Sequence, residues 1–404
     1  MTGFGLNGAV TVRPKAALLA VVLMLTGILT APGAAAITPP EFSGLDARAY
    51  DGPIPPAGTL IRSVPLDRRL WVSGAGQAYR MLYSTVDQHD SPAVATAAVF
   101  VPKTEAPEGG WPVVVWAHGT VGLGDDCTPS AHPRSPRDDA YLSHWLDQGY
   151  AIVAPDYTGM GTPGLMSYLN TLATARSVVD AVRAAHETGL PLAARWALVG
   201  QSQGGAAAVG TARYAAELSA GSGLDYRGVV ATGTPANVQS VVLTAGPDMA
   251  LPPGLGPAAV RYAAYILAAL RDGLAVPIDP VLSDAGRRAA DLGATLCSAD
   301  LDAALAGATV PEFFTAPLSS VPGIEAALDA FMGIPTSGYD RPVFLGVGLA
   351  DRDVPPRLTL RFAEQLQAAG EPVELHVYPE ADHSGAVPAS VPDSTPFLAR
   401  VLAP

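Results

Sequence analysis

The sequence predicts an α/β fold: a mostly parallel central sheet with flanking helices and a helical segment inserted late in the chain. Three observations carry this expectation. Continuous apolar runs, of the kind found in strands buried on both faces, recur at residues 111–117, 150–155, 196–199, 228–233 and 342–348. Helix-forming stretches separate several of them, the alternation that produces a parallel sheet with crossover helices. Between about Asn237 and Tyr339 the alternation stops. Helical stretches at 257–272, 284–292 and 324–331 appear there, broken by Pro-Pro-Gly and similar sequences, with no buried-strand run.

Taken in order, the chain opens with Arg13 and Lys15, an apolar run of 15 residues from Ala16 to Thr30, and a small-residue stretch Ala34-Ala35-Ala36. This reads as an export signal cleaved near Ala36, since the run is shorter than the ~20 residues that span a bilayer. Residues 37 to about 70 contain Pro39, Pro40, Pro53, Pro55 and Pro56, which rule out a long helix. An N-terminal arm lying over the domain is expected. Residues 79–86 and 93–101 read as an antiparallel strand pair joined by a turn at 87–92. Residues 169–188 have helical apolar spacing, at Leu172, Ala175, Val178, Val179 and Val182. A last strand is expected at 373–378. The resulting division is a signal at 1–36, a core at 37–236, a helical cap insertion at 237–339, and the rest of the core at 340–404.

The chemistry concentrates where apolar runs end, which in parallel sheets is where ligands bind. Residues 197–205 read Ala-Leu-Val-Gly-Gln-Ser-Gln-Gly-Gly, an apolar run ending in Gly-x-Ser-x-Gly before an Ala-rich segment. A serine on a sharp strand-to-helix turn is exposed for attack, and the helix N-terminus points its positive end at any oxyanion formed there. A serine hydroxyl needs a base to take its proton, and the base needs a carboxylate to hold its tautomer. Ser202, Asp351 and His383 follow the order Ser, acid, His, and both Asp351 and His383 follow expected strands. Asp353 and Asp340 compete with Asp351, whose position at a strand exit favours it. Among seven histidines, His376 falls within a strand, His186 within a helix, and His89, His132 and His144 lie upstream. Ester hydrolysis also requires donors at the developing oxyanion. The amide of Gln203 is one. Gly119 or Thr120, in the His118-Gly119-Thr120 stretch after the first buried strand, is expected to supply the second.

Composition bounds the partners. With 49% hydrophobic residues a large core is easily buried. Loss of the first 36 residues takes the formal charge from −13 to −15 and leaves 368 residues. That acidity argues against nucleic acid or an anionic membrane as the main partner. No cysteine or histidine cluster has zinc spacing, so neither a metal nor a cofactor is expected. Cys127 and Cys297 are the two cysteines, and in an exported protein they most simply form one disulfide; two buried free thiols are the alternative.

Several of these motifs coincide in one family. His118-Gly119-Thr120, Cys127-Thr128-Pro129-Ser130, Asp156-Tyr157-x-Gly159-x-Gly161, Gly200-Gln201-Ser202-Gln203-Gly204-Gly205, Gly348-x-x-Asp351 and Asp382-His383 resemble the secretory lipases of the α/β-hydrolase superfamily, of the yeast and actinobacterial type. The resemblance implies an α/β-hydrolase fold, a helical cap over the site, and hydrolysis of acylglycerols or smaller esters. It also supports a bridge between Cys127 and Cys297. Some fungal relatives carry an acidic side chain where Gly119 stands. The expected ligand is a small-molecule or lipid ester, the expected state a secreted monomer, and the cap is where transient contact with a lipid interface is expected. Val260, Ala263, Ala264, Leu267 and Leu270 form an apolar stripe that lines an acyl pocket or packs on neighbouring helices, and Phe313 and Phe314 offer the same choice.

Overall fold

The computed structural model describes residues 45–250 and 258–404. The expected export signal, the start of the arm and the Pro-Pro-Gly break at 252–254 lie outside the described residues. The described residues belong to one compact unit.

Nine strands make a single sheet: β1 (Leu60–Pro65), β2 (Ala75–Val86), β3 (Pro92–Pro102), β4 (Trp111–Ala117), β5 (Ala151–Pro155), β6 (Leu192–Gln201), β7 (Asp225–Thr232), β8 (Val343–Gly348) and β9 (Val373–Tyr378). Their spatial order is β1-β2-β3-β5-β4-β6-β7-β8-β9. Pairing is antiparallel from β1 to β5 and parallel from there to β9. The sheet is covered on both faces, which explains the unbroken apolar runs. In β4 every residue is buried. Val113, Val115 and Ala117 face one core cluster while Val114 and Trp116 face the other, the two-residue alternation of a strand. Each such valine contributes about 1.5–3 kcal/mol by burial.

Two corrections to the sequence expectations concern strand extent. Residues 60–65 are not part of an arm laid over the domain but an edge strand, which pairs antiparallel with β2. Its mixed burial and terminal Pro65 suit an edge, and they hide it among the prolines around it. The strand expected at 196–199 begins at Leu192, where its outer end pairs with Trp111.

One face carries α2 (Thr171–His186) and α3 (Gln203–Leu218), and the opposite face carries α1 (Pro136–Asp147) and α10 (Ala386–Val401). The numbering between them is filled by α4 (Val238–Val242), α5 (Ala258–Gly273), α6 (Asp284–Gly293), α7 (Ser298–Ala304), α8 (Ile324–Met332) and α9 (Pro356–Ala368). Between β7 and β8 the described residues form helices and connecting segments, with an isolated antiparallel bridge between Leu282 and Phe314. Tyr265, Leu267, Phe313 and Leu328 from this insertion share one core cluster with α2, α3 and the inner face of β4.

Cys127 and Cys297 form a disulfide with Cα atoms 5.4 Å apart. Beside it Gly122 bridges Cys297 as an isolated antiparallel pair, and the Ser298 amide donates to the Val121 carbonyl at 2.9 Å. The loop after β4 is thereby fastened to the insertion.

Candidate active site

β6 ends at Gln201 and α3 begins at Gln203, so Ser202 alone makes the turn, with φ 58° and ψ −127°. Such a conformation costs a non-glycine residue on the order of 1–3 kcal/mol and persists only where its surroundings enforce it. Here the Ser202 amide donates to the Thr232 carbonyl at 3.0 Å, and its carbonyl accepts from Gly205 at 2.8 Å and Ala206 at 3.1 Å. The flanking glycines are required by close approach. A Cβ on Gly204 would collide with the carbonyls of Ala117 and His118, and one on Gly200 with the carbonyl of Gly204.

Asp351 follows β8 and His383 follows β9. His383 Nδ1–H donates to Asp351 Oδ2 at 2.7 Å, while Asp351 Oδ1 accepts from the amides of Asp353 (2.9 Å) and Val354 (2.8 Å). Both side chains are buried. His383 Nε2 is buried too and bonds to no described residue. With Nδ1 committed to the carboxylate, Nε2 is the nitrogen left to accept a proton. Ser202 and His383 line one chamber. Of the other candidates, Asp340 is exposed before β8. His376 stacks on Phe344 at 4.2 Å, and His186 bonds the carbonyls of Val182 and Ala193.

Gln203 is the first residue of α3, so its amide has no intrahelical carbonyl to bond. Gly119 lies alongside. A Cβ there would sit 3.6 Å from Ser202 Cβ and 2.9 Å from Gln201 Oε1. The His118 ring shapes this stretch: Nδ1–H donates to the Gly119 carbonyl at 2.7 Å, and the ring stacks on Tyr157 at 4.3 Å. Burial pushes the His118 pKa down and so favours the neutral ring, against the two carbonyls of Gly119 and Asp156 that face its nitrogens. The Thr120 hydroxyl shares a 2.7 Å hydrogen bond with the Tyr168 hydroxyl, leaving its amide as the group to consider for an oxyanion.

Two supporting residues were not legible as such. Gln201 Nε2 donates to the His383 carbonyl at 3.3 Å, and Gln201 Oε1 accepts from Arg137 at 3.3 Å, so one amide side chain links α1 to the loop holding His383. Asp156 is a buried hub rather than a reacting group. It accepts from the Ser130 amide at 2.7 Å, the Thr96 hydroxyl at 2.7 Å and the Ser130 hydroxyl. Arg80 donates to Ser130 at 2.8 Å. This network explains Ser130 in the Cys-Thr-Pro-Ser stretch: it anchors the wall of the site to β3 and β5.

Two cavities meet at Ser202. One, of about 150 Å³, is apolar and lined by Val242, Ala263, Ile266, Leu267, Phe314 and neighbours. The other, of about 740 Å³, is the more polar of the two and includes His383, Gly119, Arg134 and Arg137. The stripe on α5 is divided between two roles. Ala263 and Leu267 face the apolar cavity, whereas Ala264 and Leu270 are buried in the core. Phe314 lines the cavity and Phe313 packs inside.

A secretory lipase family model matches residues 135–252, which contain the turn at Ser202. The chain has the α/β-hydrolase fold, and the likeness to secretory lipases covers this one segment. A second model, of the prolyl oligopeptidase family, matches residues 331–400, which contain Asp351 and His383. No curated protein sequence matches the chain. Among solved structures, Candida antarctica lipase A in its closed state is similar with TM-score 0.69 and 19% identity, over 86% of this chain and 82% of that one. The rice cell wall degrading esterase LipA from Xanthomonas oryzae is similar with TM-score 0.68 and 20% identity, over 86% and 98%. The family segment and these folds are those of lipase- and esterase-type hydrolases.

Proposed function

We propose that the protein is a secreted serine hydrolase that cleaves carboxylic esters, acylglycerols among them, through an acyl-enzyme. Ser202 Oγ attacks the ester carbonyl while His383 Nε2 takes its proton. The resulting oxyanion is held by the amide of Gln203 and that of Gly119 or Thr120. Collapse expels the alkoxide, which His383 protonates, leaving the acyl group on Ser202. Water then attacks with His383 again as base, and the acid is released. Asp351 holds Nδ1–H throughout and stabilises the imidazolium. The observation that carries this reading is the 2.7 Å His383–Asp351 bond in a chamber shared with a serine on a strained strand-to-helix turn.

The test is an initial-rate series on p-nitrophenyl esters of two to sixteen carbons with the Ser202→Ala variant as control. Removal of the nucleophile is expected to lower kcat by about 10⁴-fold or more with the fold retained. Equal turnover by a folded Ser202→Ala variant overturns the mechanism. The prolyl oligopeptidase match favours one second reading, peptide cleavage by the same residues. The apolar cavity suits an acyl chain better than a peptide, and an assay on peptide substrates separates the two. Export is supported by the disulfide and the secretory character of the family segment. A mature N-terminus near Ile37, read by mass spectrometry of secreted protein, is expected. The insertion is the surface through which a monomer would meet a lipid interface, and rates measured across the solubility limit of a long-chain ester test this.

A further inference from the structure

An ester has two halves, and the cavities on the two sides of Ser202 differ in kind. His383 lines the polar chamber and is absent from the lining of the apolar cavity. Because His383 must hand its proton to the departing oxygen, the alcohol half belongs in the polar chamber. Three arginines and three aspartates line that chamber, and most of them are paired. Arg137 is paired with Asp138 at 2.7 Å and with Gln201. Arg261, also in the wall, is paired with Asp302. Asp126 faces Arg48 at 3.5 Å. Arg134 is different: its Nη2 is fully buried and bonds to no described residue. The carboxylates that attract it, Asp156 and Asp138, are occupied by Ser130, Thr96 and Arg137. The remaining carboxylate, Asp353, lines both cavities.

Arg134 as a whole is half-buried, but a guanidinium nitrogen sealed from water without a hydrogen-bond partner is destabilising, and such groups persist where something else completes them. Arg134 is followed by Ser135, the N-cap of α1, and Ser135, Pro136 and Arg137 line the same chamber. The positive end of a 12-residue helix therefore adds to the same field.

We propose that the polar chamber is a subsite for an anionic group, a carboxylate or phosphate, carried by the alcohol half of the ester, with Arg134 as the residue that recognises it. This rests on the ester-hydrolase reading above. The planar fork of an arginine matches either anion in bidentate fashion.

The test compares butyryl esters of ω-hydroxyalkanoic acids of two to six carbons with the matching primary amides, which keep the shape and lose the charge. At the best length the carboxylate is expected to be favoured in kcat/KM by about tenfold or more, and Arg134→Gln is expected to bring the ratio near one. Hydrolysis of both classes without preference, or a preference that survives in Arg134→Gln, overturns the subsite. Failure of the ester-hydrolase reading looks different, because neither class is then turned over. For that case titration calorimetry of inorganic phosphate and of the free hydroxyalkanoates, on the Ser202→Ala protein, decides alone. Binding that is lost in Ser202→Ala/Arg134→Gln supports the subsite, and absence of binding overturns it. The thermal midpoint adds an independent reading. Removing a half-buried charge whose Nη2 bonds to no described residue is expected to leave Arg134→Gln at least as stable as the parent, and a fall of many degrees assigns Arg134 to structural support instead.

Discussion

The two cavities at Ser202 are built by different parts of the chain. The apolar one takes its walls mainly from the insertion, through α4, α5 and residues 310–318, with residues 353–358 closing one side. The polar one is made mainly by the core segment 118–138, between β4 and the first turn of α1. A helix insertion supplies side chains at 3.6-residue spacing, suited to an unbroken apolar wall. A segment rich in short turns brings backbone amides, a helix start and arginine heads to one place. On the proposed reading, recognition of the two halves of an ester is encoded in separate stretches, which can change independently.

The largest test of that separation is the disulfide, since Cys127 and Cys297 both line the polar chamber. The bridge closes a loop with a sequence separation of 170. Cys127→Ala/Cys297→Ala is expected to lose roughly 3–5 kcal/mol in urea unfolding. Under folding conditions the dependence on acyl-chain length should hold while selectivity for the alcohol half weakens, and parallel loss of both breaks the separation.

Next is Leu267→Trp, which puts an indole where the apolar cavity is lined by an aliphatic side chain. For esters of eight or more carbons kcat/KM is expected to fall about 100-fold, equivalent to about 2.7 kcal/mol, and acetyl esters should fall far less. A uniform loss across all chain lengths means the acyl chain lies elsewhere.

The smallest expected effect is at Gln201, which belongs to neither selectivity but positions the His383 loop. Gln201→Leu should lower kcat about tenfold, the loss of one buried hydrogen bond, with KM little changed. A change confined to KM would place Gln201 in the binding of substrate instead.

Much of the scaffold is readable before folding. The runs at 111–117 and 373–378 coincide with β4 and β9, and the order Ser202, Asp351, His383 names groups that the fold brings to one end of the sheet. Helices α1, α9 and α10 carry weaker signals. The last holds Pro392 and Pro396 inside it, which argue locally against a helix that burial against β7 and β8 nevertheless imposes. The edge strand β1 is short, half-buried and set among prolines, so neither periodicity nor composition marks it.

The amino-acid sequence by itself determined the strands buried on both faces and the sharp turn at Ser202. A continuous apolar run and a pair of glycines around a serine constrain the backbone within a few residues, without reference to the rest of the chain. Tertiary structure alone decided which side of the α5 stripe faces a cavity, that Asp156 is consumed by Ser130 and Thr96, and that Arg134 Nη2 bonds to none of the described residues. Those outcomes depend on neighbours tens to hundreds of residues away. The charge or polarity of a side chain says what it can bond, and only the packed fold says what is within reach.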